Sequence, residues 1–395
     1  MTHPRPFDTG RRALLALGVA SLALHVPVHA QSAADFYKGK TIRVASSTGA
    51  GGTMDLYLLL TMKHMEKHLP EGTKLVLEHR TGGGGAVMAN YMYSAAPKDG
   101  LHFGMPVPAL VTSTFSNPDG TRYDPARFTM LGRLVDLPRV FVARADSGIK
   151  TLQDAAKGDK EIPHGIMTVG TSLDQYMTAV NEVLGTKFKR VAGYTGGGPT
   201  FLAMEQGEVQ STTAEPANLL SDKWHLVQNG TINVLATLGT EKVAGLESAP
   251  SVLDMIPASH PKRGIVEAVA ASGAIGLALI APPDVPADRV AYLREVLKKT
   301  MHDPALLAEA KERKIPINFA DGERLTQIVA AAAKAPEPIR QWFRDLAKPH
   351  PTRATPIRWT SPPPWLRWAP PPARCSARSR CSTSAWASAW APCCR

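Results

Sequence analysis

Cysteine is missing from residues 31–350, because the four cysteines of the chain, Cys375, Cys381, Cys393 and Cys394, lie in its last 21 residues. A region without thiols can form neither a structural disulfide nor a cysteine nucleophile, and it cannot hold a metal through cysteine. Thiolate catalysis and disulfide frameworks are therefore excluded for residues 31–350.

Long hydrophobic runs are also missing. The longest one near the N-terminus, Ala13–Leu24, has 12 residues, whereas a membrane-spanning helix needs ~20. Arginines precede this run, and Val-His-Ala at 28–30 fits a small-x-small cleavage site. Residues 1–30 are therefore predicted to be an export signal cleaved near Ala30, which leaves a soluble periplasmic protein. The Arg11-Arg12 pair leaves both general secretion and twin-arginine export open.

Acidic residues are absent from 346–395, a segment with eight lysines or arginines and five of the seven tryptophans. Much of the net charge of +11 comes from this segment, because residues 31–345 contain 34 basic and 33 acidic residues. A nearly neutral central region predicts no nucleic-acid partner. Residues 348–395 have no helical or strand period, and we interpret them as a disordered or frameshift-derived tail.

Motifs of the common catalytic and cofactor sites are missing from the rest of the chain. There is no G-x-S-x-G or H-E-x-x-H sequence and no complete G-x-x-x-x-G-K-[ST] motif, so no catalytic residue, metal or cofactor is predicted. His64 and His68 are four residues apart on a predicted helix. Without a third ligand, a solvated polar face is favoured over a metal site.

Strands and helices alternate along the chain, which is typical of α/β proteins. Predicted strands include 41–46, 74–78, 101–107, 139–144 and 166–170, and predicted helices include 54–69 and 86–95. The order predicts two α/β lobes joined by two crossing segments: lobe 1 from 31–140 plus 275–347, and lobe 2 from 141–274. Ligands of such sheets bind at the carboxyl ends of the strands, where the lobes face each other.

Three junctions between a predicted strand and a predicted helix are rich in glycine or hydroxyl residues: 49–55, 169–175 and 193–200. Each offers free backbone N–H groups and the positive end of a helix dipole to a carboxylate or phosphate. Ser172 and Gln175 have the spacing of a capping box. The first junction lacks the lysine of a phosphate loop and the third glycine of a dinucleotide motif, so it matches neither nucleotide motif, and the residues alone leave the identity of the anion open.

Several segments, taken in order, resemble one family over about residues 34–347. They are FYKGKTIRV, the Gly-Gly-x-x-Asp loop at 51–55, E-x-R-x-G-G-G-G at 78–85, ANYMYSAAPKDG, YDPARFTMLG, GYTGGGP and AMEQGEV. The chain resembles the substrate-binding proteins of tripartite tricarboxylate transporters, the Bug/TctC-like receptors.

The resemblance implies a type II periplasmic-binding-protein fold that closes like a flytrap on a small carboxylate, held by main-chain N–H groups and ordered water. It further implies delivery to a membrane transporter with a large and a small subunit. It places the following residues at the ligand: Gly49, Ala50, Gly51, Gly52, Thr53 and Asp55 from the first loop, and Thr171, Ser172, Asp174, Tyr194, Thr195, Gly196 and Gly197 from the second lobe. Ala214 occupies the position of an aspartate frequent in the family, and its neighbour Glu215 completes the predicted set.

Two alternatives remain open at the level of the sequence. The same flytrap could report its ligand to a membrane signalling protein and deliver nothing. An enzyme on the same scaffold is a further alternative, since a fold does not determine a function.

Overall fold

The computed structural model describes residues 32–167, 172–194 and 196–348. The predicted export signal, the tail beyond 348 and two of the predicted ligand residues, Thr171 and Thr195, lie outside the described residues.

Eleven strands in the described residues form two mixed sheets. The strands are β1 (Thr41–Ser46), β2 (Lys74–His79), β3 (His102–Met105), β4 (Thr129–Val135), β5 (Arg139–Arg144), β6 (Ile162–Ile166), β7 (Phe188–Ala192), β8 (Ser211–Ala214), β9 (Ile232–Leu238), β10 (Leu277–Ala281) and β11 (Ala320–Asp321). Sheet 1 has the order β11-β4-β10-β3-β1-β2, and sheet 2 has the order β7-β6-β8-β5-β9. The two sheets with helices on their faces confirm the predicted α/β class and the two-lobed binding-protein architecture.

Fourteen helical segments lie between the strands in the same part of the chain. They are α1 (Ala33–Tyr37), α2 (Thr53–Met65), α3 (Ala86–Ser94), α4 (Thr112–Ser116), α5 (Leu152–Ala156), α6 (Ser172–Leu184), α7 (Gly197–Glu205), α8 (Pro216–Asn218), α9 (Trp224–Gln228), α10 (Arg263–Ile275), α11 (Ala287–Met301), α12 (Pro304–Glu312), α13 (Gly322–Ala333) and α14 (Glu337–Ala347). Local chemistry defines many of their first residues. Thr151 and Asp154 form a capping box at α5, and the side chains of Asp303 and Asp321 cap α12 and α13.

Three hydrophobic clusters hold the layers together. One packs α2, α11 and α12 on sheet 1, and another packs α7 to α9 on sheet 2. The largest cluster contains residues of both sheets, such as Met130 of β4 and Phe141 of β5, joined through Val269 of α10. The buried helix α10 therefore connects the cores of the two sheets.

Two elements differ from the sequence analysis. Of the strand predicted at 166–170, Ile166 is the last residue of β6, which already begins at Ile162, and residues 168–170 lie outside the described residues. The helix α10 was not recognised in the sequence, although ten of its thirteen residues are buried. The proline and glycine residues around this helix concealed its apolar period.

Candidate ligand-binding site

The carboxyl ends of the strands in the two sheets meet where the chain crosses between them. In sheet 1, β2 and β3 run parallel to β1, and β4 has the same direction because β10 is antiparallel to both β3 and β4. In sheet 2, β7 and β8 run parallel to β6, and β5 is antiparallel to β8. Only residues 136–138 separate the end of β4 from the start of β5, a span of at most ~14 Å. The two carboxyl edges therefore lie close together at this crossing.

The first predicted loop joins β1 to α2 at the carboxyl edge of sheet 1. Gly49, Ala50, Gly51, Gly52 and Thr53 are all exposed. The residue before the helix is Gly52, which has no side chain with which to cap the helix. Gly51 has a φ of +83°, a conformation that favours glycine. The loop thus presents its backbone, and the positive end of the α2 dipole, to solvent.

Asp55 holds this loop from inside, although the sequence predicted it at the ligand. Its side chain is buried, and its Oδ2 accepts a hydrogen bond of 2.9 Å from the Gly51 N–H. Its Oδ1 lies 3.4 Å from Nε2 of His79 at the end of β2. Nδ1 of His79 donates to the Thr48 carbonyl at 2.8 Å. Asp55 and His79 together fix both ends of the loop.

The third predicted loop joins β7 to α7 at the carboxyl edge of sheet 2. Gly196 precedes α7, and Gly197 begins the helix with no atom within 4 Å of the position of an added Cβ. Tyr194 is half-buried, and its hydroxyl has no hydrogen-bond partner among the described residues. Burial raises the pKa of this hydroxyl, and the neighbouring Glu208 raises it further. Tyr194 therefore stays protonated and can donate a hydrogen bond at neutral pH.

The second predicted loop leads into α6, which begins at Ser172. Residues 168–171, which precede this helix, lie outside the described residues, so the capping box of Ser172 and Gln175 stays a prediction. Asp174 has no exposed surface; it forms an ion pair with Arg190 of β7 and accepts a hydrogen bond from Thr178 at 3.4 Å. This carboxylate therefore positions Arg190, whose side chain is 29 % exposed.

Glu215 follows β8 and lies at the same edge. Its Oε1 is 3.0 Å from Nη1 of Arg139, the first residue of β5. Burial raises the pKa of the Tyr57 hydroxyl on α2, and the negative charges of Glu215 and Asp136 raise it further. The charge of Glu215, which follows a strand of sheet 2, therefore acts on a hydroxyl of α2, a helix that packs on sheet 1.

Three polar residues near this edge were missed in the sequence: His79, Arg139 and Arg190. Each lies at or near the end of a strand that reaches the carboxyl edge. A signal existed for Arg139, since it is a charged residue at the start of the apolar run Val-Phe-Val, directly after Pro138.

A separate surface groove of about 540 Å³ lies against β4, α11 and α13, with Thr129, Leu131 and Arg294 among its lining residues. Thr129 begins β4, so this groove reaches the amino edge of sheet 1, opposite the glycine loops.

Within residues 32–167, 172–194 and 196–348, no cluster of three or more His, Cys, Asp or Glu side chains could hold a metal ion. His64 is buried, with its Nε2 2.8 Å from Glu309, so the predicted solvated polar face was wrong.

Comparison with known proteins decides the family. The model of the tripartite tricarboxylate transporter family receptor (TctC) matches residues 61–342. The chain belongs to this receptor family. It is 27 % identical over 338 residues to the "UPF0065 protein in gbd 5'region" of Cupriavidus necator, covering 83 % of this chain and 94 % of that protein.

Solved structures of low sequence identity share the fold of this TctC-family receptor. A TctC solute-binding protein from Polaromonas, crystallised without ligand, aligns with a TM-score of 0.61 at 19 % identity, covering 78 % of this chain and 98 % of its own. MatC from Rhodopseudomonas palustris, with bound malate, aligns with a TM-score of 0.51 at 17 % identity, covering 78 % and 99 %. The chain thus combines membership of the TctC receptor family with the fold of these solute-binding proteins. Among the described residues, none of the helices is long and apolar enough to cross a bilayer.

Proposed function

We propose that this receptor captures a small carboxylate between its two lobes and passes it to a tripartite membrane transporter with a large and a small subunit. The observation that carries the proposal is the pair of glycine-preceded helix starts, Gly52 before α2 and Gly196 before α7, one on the carboxyl edge of each sheet. Backbone N–H groups at such positions bind anions.

The charges around the site favour a carboxylate that binds chiefly to backbone groups. Asp55 and Asp174 are buried and already engaged with Gly51 and Arg190. The two carboxylates therefore pre-organise the loop and the arginine. The exposed residues Gly49 to Thr53, together with Ser172, Tyr194, Gly196 and Gly197, remain the proposed contacts, and Thr171 and Thr195 extend the two loops of lobe 2.

The setting of this function follows from the export signal in the sequence. We propose that residues 1–30 are removed on export, that the receptor acts in the periplasm, and that lobe 1 (31–140 plus 275–347) and lobe 2 (141–274) close on the ligand. No cofactor and no catalytic residue is part of the proposal, so the ligand is released unchanged. Mass spectrometry of ligand recovered after long incubation would reveal any turnover.

Thermal unfolding of the purified protein against a panel of acids tests the proposal. The panel contains mono-, di- and tricarboxylates, aromatic acids and amino acids. A ligand at ~100 times its Kd should add about 2.7 kcal/mol to the free energy of unfolding. Calorimetry should confirm one binding site for each hit. A protein that unfolds cooperatively and is stabilised by none of the acids would contradict the proposal.

A further inference from the structure

Arg139 is buried at the carboxyl edge of sheet 2 without a full set of hydrogen-bond acceptors. Its side chain is 10 % exposed, and within the described residues its Nε and Nη1 have no hydrogen-bond partner. Burying an arginine without acceptors is costly, because a charged donor that loses its water and finds no acceptor is destabilised. A residue of this kind is stabilised when a carboxylate reaches it.

Glu215 pairs with the charge of Arg139 but does not satisfy its hydrogen-bond donors. Its Oε1 lies 3.0 Å from Nη1, an ion-pair distance, but the contact lacks the angles of a hydrogen bond. The Glu215 side chain is 49 % exposed, whereas that of Arg139 is nearly covered. Glu215 is therefore the partner that can leave, and Arg139 is fixed in the protein by its burial.

The strand register places this ion pair at the proposed ligand site. Val140 of β5 is paired with Ala214 of β8, so Arg139 and Glu215 lie side by side where β8 ends. The strands β6 and β7, which lead into the two ligand loops of lobe 2, end at the same edge because they run parallel to β8. The pair thus lies at the carboxyl edge of sheet 2, where the ligand loops of lobe 2 begin.

We propose that Arg139 is a specificity residue that binds the second carboxylate of a dicarboxylate ligand, and that Glu215 occupies Arg139 in the empty receptor. The inference rests on the proposed function, in which the glycine loops bind the first carboxylate. On binding, the ligand carboxylate replaces Glu215 and forms the hydrogen bonds that Glu215 does not make. The planar guanidinium suits this exchange, because it can bind both oxygens of a carboxylate at once.

Matched pairs of acids measured by calorimetry test this inference in the full protein. Succinate is compared with butyrate, and adipate with hexanoate, so that each pair differs by one carboxylate. The measured quantity is the ratio of the two dissociation constants within a pair. Arg139→Lys should reduce the preference for a dicarboxylate by about tenfold, because lysine retains the charge but loses the planar fork. The affinity for the monocarboxylate should stay within about twofold.

Glu215→Gln gives the opposite expectation and leaves the buried arginine in place. Removing the competing charge should increase the preference for the dicarboxylate by about three- to tenfold. The melting temperature would reveal whether Arg139→Lys fails to fold. In that case Glu215→Gln alone still tests the role of Arg139. Glu161→Gln is the matched control, because this exposed glutamate is paired with Lys189 of the same proposed lobe and belongs to no ligand loop. It should leave both ratios unchanged.

The possible failures are distinguishable. Three results would each overturn the role of Arg139. The ratios of dissociation constants could agree within twofold in all variants, or the Glu215→Gln variant could prefer dicarboxylates less than the wild-type protein does. The third such result is a wild-type protein that binds only monocarboxylates. Any of these results leaves the proposed carboxylate receptor intact. A folded wild-type protein that binds no carboxylate of any class would overturn both proposals.

Discussion

At the scale of single residues, the glycine before α2 determines how closely a ligand can approach the backbone. Gly52 has a φ of −87°, which any residue can adopt, and an added Cβ would lie 4.0 Å from the nearest atom, the Gly49 carbonyl oxygen. A larger side chain therefore fits the fold but covers the N–H groups at the start of the helix.

Gly52→Val should abolish binding of the carboxylate found in the acid panel, with at least a hundredfold loss of affinity, because the branched side chain blocks the anion. The free energy of unfolding should change by less than about 1 kcal/mol. Calorimetry and chemical denaturation measure the two effects. Gly52→Ala serves as the graded control and should lose less affinity. Unchanged affinity in the valine variant would show that this loop does not bind the ligand.

His164 of β6 makes the protein sensitive to acid. Both ring nitrogens are hydrogen-bonded, to Ser211 at 2.9 Å and Thr213 at 3.0 Å, and complete burial lowers the pKa of His164 to about 3. In the unfolded chain the same group takes up a proton near pH 6.5. Between pH 6.5 and 3 the unfolded state therefore binds more protons, so stability falls as the pH falls.

Between pH 7 and pH 5 this histidine should lower the free energy of unfolding by about 2 kcal/mol. Chemical denaturation at the two pH values measures how much the free energy of unfolding decreases from pH 7 to pH 5. In His164→Gln this decrease should be about 2 kcal/mol smaller than in the wild-type protein, whatever the absolute stability of the variant. His225→Gln, at an exposed position of α9, is the control and should show the same decrease as the wild-type protein. Equal losses in both variants would mean that His164 is protonated in the folded state.

At the scale of elements, the junction between α10 and β10 brings the two crossings of the chain together. Gly276 ends α10 with a φ of +53°, and an added Cβ would lie 2.1 Å from the Val135 carbonyl oxygen at the end of β4. The Leu137 N–H donates to the Gly273 carbonyl at 2.8 Å. Only glycine permits this approach of the two backbones.

Gly276→Ala should lower the free energy of unfolding by at least about 3 kcal/mol, because it adds both backbone strain and a clash with a carbonyl oxygen. Gly264→Ala makes the same change near the start of α10, where an added Cβ would lie 3.2 Å from the flexible Ile339 side chain. That variant should stay within about 1 kcal/mol of the wild-type protein. Denaturant titrations compare the free energies of unfolding of the two variants. Similar values would show that the chain segments at Gly276 and Val135 can move apart without loss of stability.

At the scale of the whole molecule, the receptor is complete before the tail. The family match ends at residue 342, and α14 ends at Ala347. The Phe343 side chain of α14 is buried in the core that both sheets share. A chain that ends at Lys348 retains all of these contacts.

Removal of residues 349–395 should therefore leave the melting temperature and the ligand affinity unchanged. The measurement is a comparison of the full and shortened chains by thermal unfolding and calorimetry. As a control, a chain that ends at residue 336 lacks α14 and should unfold at a much lower temperature, because Ile339 and Phe343 leave the core. A lower affinity of the chain ending at Lys348 would assign the tail a part in binding.

Local patterns in the sequence were enough for the α/β class, most strands and helices, and the first and third glycine loops. Alternating apolar residues predicted β1 and a continuous apolar run predicted β5, and Gly52 and Gly196 mark where the chain enters a helix without a side-chain cap. These features depend on neighbouring residues, which is why a sequence can reveal them.

Only the tertiary structure decided which polar groups meet. The family resemblance implies that Asp55 and Asp174 lie at the ligand, which stays a prediction, whereas their partners His79 and Arg190 come from strands that only the folded sheets bring near them. Arg139 and Glu215 are far apart in the chain and become neighbours through the antiparallel register of β5 and β8. Residue order and periodicity determine the elements of this protein. The pairing of strands across long separations determines the charges at its site, because side chains distant in sequence come into contact only once the sheets are assembled.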